Sequence, residues 1–245
     1  MISRKQSKFI KSLKIKKYRD IENAFLVEGK KNVLELIKSD FEIKSIVCTQ
    51  LFSELNPFVL NKNFDVIVSS EQDLSQLGTF KVNNECLAVV KKKDYNIAHA
   101  DLNDFTFVLD DISDPGNLGT IIRTMDWFGF KNLVCSEHTA DFYNPKVINA
   151  TMGSFSRVKV YYTDIIQFIK QSKKPVFGAD MGGAELVQTR FPKSSIFVMG
   201  SESNGLSPKV RSLLTSTVSI RGFGKAESLN VGIATGIICH HLRNY

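Results

Sequence analysis

Arg221-Gly222-Phe223-Gly224-Lys225-Ala226-Glu227-Ser228-Leu229-Asn230-Val231-Gly232-Ile233-Ala234 is the stretch on which the reading of this chain turns. It opens as a glycine-rich turn, passes through Glu-Ser-Leu-Asn, and ends in small and β-branched residues that demand tight packing. Two more polar islands stand upstream, Asp110 to Arg123 (DDISDPGNLGTIIR) and Met199 to Leu206 (MGSESNGL). Each follows an apolar, strand-like run. Glycine-bearing loops that leave buried strands are what a small-molecule site on an α/β sheet requires. Glycine lets the backbone approach a ligand, and strand ends offer unpaired amides and carbonyls. The pattern points to an enzyme with a bound cofactor.

A chain of 245 residues has room for two domains or one large one. Its 43% hydrophobic and 23% charged residues are ordinary for a globular protein. No apolar run approaches the ~18 residues that span a bilayer, and no apolar segment follows the basic N-terminus as in a signal peptide. The cytoplasm is the expected compartment. Cys48, Cys86, Cys135 and Cys239 are scattered without a CxxC pair, which speaks against a zinc site or a disulfide framework and for buried free thiols. The net charge of +7 is uneven, because the first 19 residues carry Arg4, Lys5, Lys8, Lys11, Lys14, Lys16, Lys17 and Arg19 and no acidic group. Such density suits a polyanion. A solvated helix face is the plainer alternative, and a packed helix with Phe9, Ile10 and Leu13 inward satisfies both.

Hydrophobic periodicity predicts an amphipathic helix over 8–19, a strand at 24–27, a helix over 30–38 and a strand at 43–48. A broken helix over 50–61, a strand at 65–68, a short helix after Ser70 and a strand at 87–90 complete a small α/β unit. Residues 1–95 thus read as one domain, 96–104 as a linker and 105–245 as a second domain. The second domain alternates strands at 105–109, 132–135, 159–162, 176–179, 195–199 and 217–220 with helices after residue 119, near 144–151 and from about 229 to 242. This implies a mostly parallel sheet covered on both faces.

Asn117 and Arg123 are six residues apart and so are not stacked on one helical face. With Asn117 in a loop or N-cap and Arg123 in the second turn, both could border one crevice, where a fixed guanidinium clamps phosphate or polarises a hydroxyl. An N-cap Asn with a surface Arg is the alternative. The Gly200–Gly205 loop lacks the Lys-Ser/Thr of a triphosphate site, and Glu202 within it can accept hydrogen bonds from a ligand or a neighbour. Ser228 and Asn230 can cap the last helix and face a ligand. His99, His138, His240 and His241 lie outside the three loops, which argues against a serine-hydrolase relay.

Taken together and in this order, the islands resemble the SpoU-type branch of the SPOUT class of RNA methyltransferases. The matching motifs are Asn117-Leu118-Gly119 through Arg123, Gly200 through Leu206, and Glu227-Ser228-Leu229-Asn230-Val231. Asn149 to Phe155 is similar to the family's small-residue helix. Residues 8–33 resemble the RNA-substrate-binding domain that often precedes it. One departure stands out: Arg221 and Gly222 occupy places where the family usually has proline and methionine. The resemblance implies an α/β fold with a C-terminal knotted, parallel-sheet methyltransferase domain after a smaller RNA-binding domain. It also implies S-adenosylmethionine as cofactor, no metal, and a homodimer whose site borrows from the partner. The implied reaction is methyl transfer to a ribose 2′-hydroxyl of rRNA or tRNA. Arg123 would act on the hydroxyl or its phosphate, ordered by Asn117, Glu202, Ser228 and Asn230. The implied cofactor residues are Met199, Gly200, Glu202, Gly205, Ile220, Gly222, Ser228 and Leu229. Lys11, Lys14, Lys16, Lys17 and Arg19 would contact RNA. A non-catalytic RNA-binding or ribosome-assembly protein and a base methyltransferase are the competing readings.

Overall fold

The computed structural model describes residues 2–61, 63–80 and 85–244. Two compact units emerge, Met1–Asp94 with Asp141–Ser156, and Tyr95–Ala140 with Arg157–Tyr245. The first unit therefore recruits sixteen residues from the middle of the chain, so the expected sequence cut at 96–104 is not the packing boundary for 141–156.

In the first unit, α1 (Arg4–Ser12) and α2 (Lys16–Ile21) precede β1 (Ala24–Glu28) and α3 (Lys30–Ile37). Then come β2 (Ile43–Cys48), α4 (Gln50–Leu55), β3 (Asp65–Val68), α5 (Glu71–Leu77) and β4 (Cys86–Lys91). The sheet order is β1-β4-β2-β3, with β4 antiparallel to both neighbours and β3 parallel to β2. Ile10 and Leu13 enter the core beside Leu26, Val47 and Leu87.

The helix expected over 8–19 is two helices. Arg19 explains the break: its Nη1 donates to the Leu13 carbonyl at 3.0 Å and the Lys14 carbonyl at 2.9 Å, satisfying acceptors that a continuous helix would have paired internally. Its Nη2 meets the Asp141 carboxylate at 2.5 Å, and the side chain is only 3% exposed. Arg19 is thereby corrected from an RNA contact to a structural residue, since a guanidinium so buried and so paired has no face for phosphate. Lys14 is partly committed as well. Its ammonium donates to the Gly78 carbonyl at 2.5 Å, and burial lowers its pKa below the usual lysine value. Lys11, Lys16 and Lys17 are exposed.

The second unit runs β5 (Thr106–Asp110), α6 (Pro115–Trp127) and β6 (Asn132–Cys135). The chain then contributes α7 (Pro145–Ala150) to the first unit. It returns as β7 (Lys159–Tyr162), α8 (Ile165–Ser172), β8 (Val176–Glu185), β9 (Ile196–Gly200), α9 (Pro208–Arg211), β10 (Ser216–Ser219) and α10 (Val231–Arg243). All five pairings in the order β10-β8-β9-β5-β6-β7 are parallel. Strands buried on both faces read as continuous apolar runs, which is why β5 and β9 are legible from sequence. The short helices α8 and α9 are additional to those expected, and β8 is longer. After edge strand β10 the chain crosses back to lay α10 on α6, consistent with the expected trefoil knot. The contact is close because it is built from small residues: Gly232 faces Thr120 and Gly236 faces Thr124. All four cysteines are buried and free, and burial raises the thiol pKa of each.

Replacing Asp141 with Ala strands the Arg19 guanidinium in the interior and is expected to cost about 2–4 kcal/mol, somewhat below a fully buried pair because Asp141 keeps some solvent contact. Urea unfolding of the full chain measures it; a loss under about 0.5 kcal/mol would show the pair to be dispensable.

Candidate active site

The parallel register brings the carboxyl ends of β5 and β9 together, with Leu109 opposite Met199 and Asp110 opposite Gly200. The first and second islands leave from there side by side. Asp114 caps α6 by accepting the Asn117 amide at 2.8 Å, and Pro115 occupies the first helical position. The helix thus starts earlier than the loop reading allowed: Asn117 is in its first turn and Arg123 in its third.

After β9 the backbone doubles back on itself. The Ser201 amide donates to the Gly205 carbonyl at 3.1 Å and the Gly205 amide to the Ser201 carbonyl at 2.8 Å. A Cβ on Gly200 would lie 2.3 Å from the Gly205 carbonyl carbon, so no side chain fits. Gly205 has φ +62, the left-handed region that glycine tolerates. Leu206 turns inward, and the Ser207 amide donates to the buried Asp110 carboxylate at 2.7 Å, which ties this loop to the end of β5.

The third island begins after β10. Residues 220–229 form no backbone–backbone hydrogen bonds with other described residues, so their amides and carbonyls are open to a ligand. Asn230 is the N-cap of α10, accepting the Gly232 amide at 2.9 Å. Of the two residues expected to cap this helix, Ser228 does not, because the helix begins only at Val231.

Two asparagines join the three islands. The Asn230 side-chain amide donates to Asn117 Oδ1 at 2.8 Å, and Asn117 Nδ2 donates to the Glu202 carboxylate. Beside Glu202 opens a cavity of about 1030 Å³. Met199, Gly200, Glu202, Gly205, Ile220, Gly222, Ser228 and Leu229 all line it. Asn117 and Asn230 stand at its edge through their bonds to Glu202 and to each other.

Arg123 is not brought there. Six residues along a helix from Asn117, it is about 120° around the axis and about 9 Å further on. It lies exposed on the stripe that carries Trp127, itself 83% exposed. The cavity also has walls that sequence reasoning missed. Between Gly178 and Ala184, β8 leaves its pairing with β10, and Ala179, Asp180, Met181 and Gly183 line the cavity. Gly183 is obligatory at this excursion because a Cβ would meet the Val218 amide at 2.5 Å. The Gly182-Gly183 pair in an otherwise strand-like run was the available signal. Arg211, paired with Asp180, and Arg221, 3.5 Å from Glu185, add two cations to the wall.

Residues 104–240 match the SpoU rRNA Methylase family, and residues 5–88 match the MRM3-like substrate binding domain. The chain belongs to the SpoU rRNA methylase family. It is 29% identical to the 23S rRNA (guanosine(2553)-2′-O)-methyltransferase RlmP of Bacillus subtilis over 95% of this chain and 94% of that protein. The structure resembles a TrmH-family protein from Porphyromonas gingivalis with a TM-score of 0.87 and 33% identity, covering 100% of this chain and 99% of that one. It also resembles an AdoMet-bound rRNA methyltransferase from Sinorhizobium meliloti with a TM-score of 0.88 and 25% identity, covering 100% and 97% of the two chains. Among the described residues no group of His, Cys, Asp and Glu has the arrangement of a metal site, and no helix is long and apolar enough to cross a membrane.

The glycines of the site make different forecasts. Gly200→Ala forces backbone apart and is expected to lower stability by about 1–3 kcal/mol, the range for overpacking. Gly222→Ala, with nothing within 4 Å of the new methyl, should change it by less than about 0.5 kcal/mol. Denaturant midpoints of the two variants compare them directly.

Proposed function

We propose that the chain transfers a methyl group from S-adenosylmethionine to a ribose 2′-hydroxyl of ribosomal or transfer RNA. The observation that carries this is the convergence of three family loops on one cavity, with every residue expected to hold the cofactor on its wall. The cavity fits such a group. Its volume of about 1030 Å³ is ample for a ligand of nucleoside size, and Gly200 leaves the backbone bare. The unpaired backbone of 220–229 can serve adenine and ribose edges. When bound, the cofactor supplies a methyl group on a cationic sulfur, which is already a good leaving group.

The protein's own task would then be the weak nucleophile: its residues would hold the ribose hydroxyl in line and ease loss of its proton to a neighbouring acceptor or to water. Asn117, with Asn230 behind it, fixes the Glu202 carboxylate at the cavity mouth, and Ser228 lies on the same wall. Arg123 grips the hydroxyl or its phosphate. Its position on an exposed stripe, away from its own cavity, supports a homodimer in which this side chain serves a shared border. Trp127 on α6 and Ile233 and Ile237 on α10 leave apolar surface exposed on the two packed helices, as such an interface needs. RNA is held by residues 1–95 through phosphates, with Lys11, Lys16 and Lys17 as exposed cations and Lys14 as a partly buried one. The cytoplasm, where RNA and S-adenosylmethionine meet, is the proposed compartment.

Arg123→Ala is expected to lower single-turnover methylation of saturating RNA by a factor of 100 or more, on the order of the loss of a charged transition-state contact, with cofactor affinity unchanged. Arg123→Lys should also fall substantially, since an ammonium lacks the planar fork. A near-wild-type rate for Arg123→Ala would remove this residue from the reaction. Combined replacement of Lys11, Lys16 and Lys17 by Ala should weaken RNA binding and flatten the slope of log affinity against log salt by about 3, one unit for each phosphate no longer neutralised. An unchanged slope would mean that these lysines form only a solvated face.

A further inference from the structure

Phe223 is 89% exposed, more than any other large hydrophobic residue among those described. A lone exposed phenylalanine would need no explanation. This one stands in the wall of the cavity, at the middle of a loop whose backbone is unpaired. No aromatic ring among the described residues packs on it. Its contact is with Arg221, whose guanidinium carbon lies 5.2 Å from the ring centroid. Arg221 in turn lies 3.5 Å from Glu185, and both residues line the cavity. Gly222 and Gly224 flank Phe223 in the chain, and a Cβ built on either would meet nothing within 4 Å. The result is an exposed aromatic ring beside a cation, both on the wall of the chamber assigned above to the methyl donor.

We propose that Phe223 is a stacking platform for a nucleobase of the RNA substrate, with Arg221 contacting the adjoining phosphate. The inference rests on the RNA methyltransferase reading of the same site. A ribose presented to this cavity carries its base outward, and a single-stranded or splayed base seeks an aromatic face. Every base has a π-face, so the platform adds affinity and alignment without selecting one base. Arg221 suits the second part because a guanidinium meets phosphate while lying against a ring. Phe223 is thus a positioning residue, and its side chain takes no part in bond making.

The test uses unmodified large-subunit ribosomal RNA transcribed in vitro. Phe223→Ala should raise KM for this RNA by about 5- to 150-fold, the range for one lost base–aromatic stack. Its single-turnover rate at saturating RNA should stay within about threefold of wild type, and its S-adenosylmethionine affinity by calorimetry should not change. Phe223→Trp should keep KM near wild type, whereas Phe223→Leu, apolar but without a π-face, should behave like the alanine variant. Filter binding of the same RNA provides a readout that needs no turnover, so absence of methylation by the wild-type protein would count against the activity and leave the stack measurable. Equal RNA affinity and KM for Phe223→Ala and wild type would overturn the proposal. So would full recovery by leucine, or a defect confined to S-adenosylmethionine affinity, which would make Phe223 a wall of the cofactor chamber instead.

Discussion

The site depends on a backbone contact in which no side chain takes part. Where β9 ends, the chain folds so tightly that Gly200 touches the carbonyl of Gly205, and two hydrogen bonds between Ser201 and Gly205 lock the fold-back. The consequences spread outward. Leu206 is driven into the core, the Ser207 amide lands on the Asp110 carboxylate, and Glu202 is held at the tip of the loop within reach of Asn117. Asn117 in turn holds Asn230, the residue that starts α10. One steric constraint at the end of a central strand therefore aligns three loops that are far apart in sequence.

The closing helix obeys a related constraint. Gly232 and Gly236 sit one turn apart on α10 and face Thr120 and Thr124, one turn apart on α6. Small residues at this spacing let two helices approach closely, and that closeness delivers Asn230 to Asn117. Ile233 and Ile237, each next to one of these glycines on α10, and Trp127 at the end of α6 remain outside. The packing that completes the cavity thus leaves apolar side chains exposed on both helices, and Arg123 is exposed on the α6 stripe that carries Trp127.

In the first unit, charge divides between structure and solvent. Eight basic residues in the first nineteen looked uniform, yet they are not equivalent. Arg19 holds together the break between α1 and α2 and pairs with Asp141; Lys14 closes on the Gly78 carbonyl; Arg4, Lys5, Lys8, Lys11, Lys16 and Lys17 face water. Only this last group carries charge that the fold does not use, and the proposed RNA contacts Lys11, Lys16 and Lys17 belong to it.

The sequence by itself determined the alternation of strands and helices, the parallel sheet, the inward faces of most elements and the three loops. These follow from local periodicity, apolar runs and glycine chemistry, and each is set by neighbours in the chain. It also marked eight of the residues that line the cavity, because the motifs carry them at strand ends, where a parallel sheet opens. What it could not determine is which side chains meet. Arg19 and Asp141 are 122 residues apart, Asn117 and Asn230 are 113 apart, and nothing local predicts either bond. The excursion of β8 at 179–183, the break at 13–15 and the position of Arg123 away from its own cavity were likewise settled by tertiary structure. Burial and pairing depend on what the fold brings from elsewhere, and a residue's type does not record its partners.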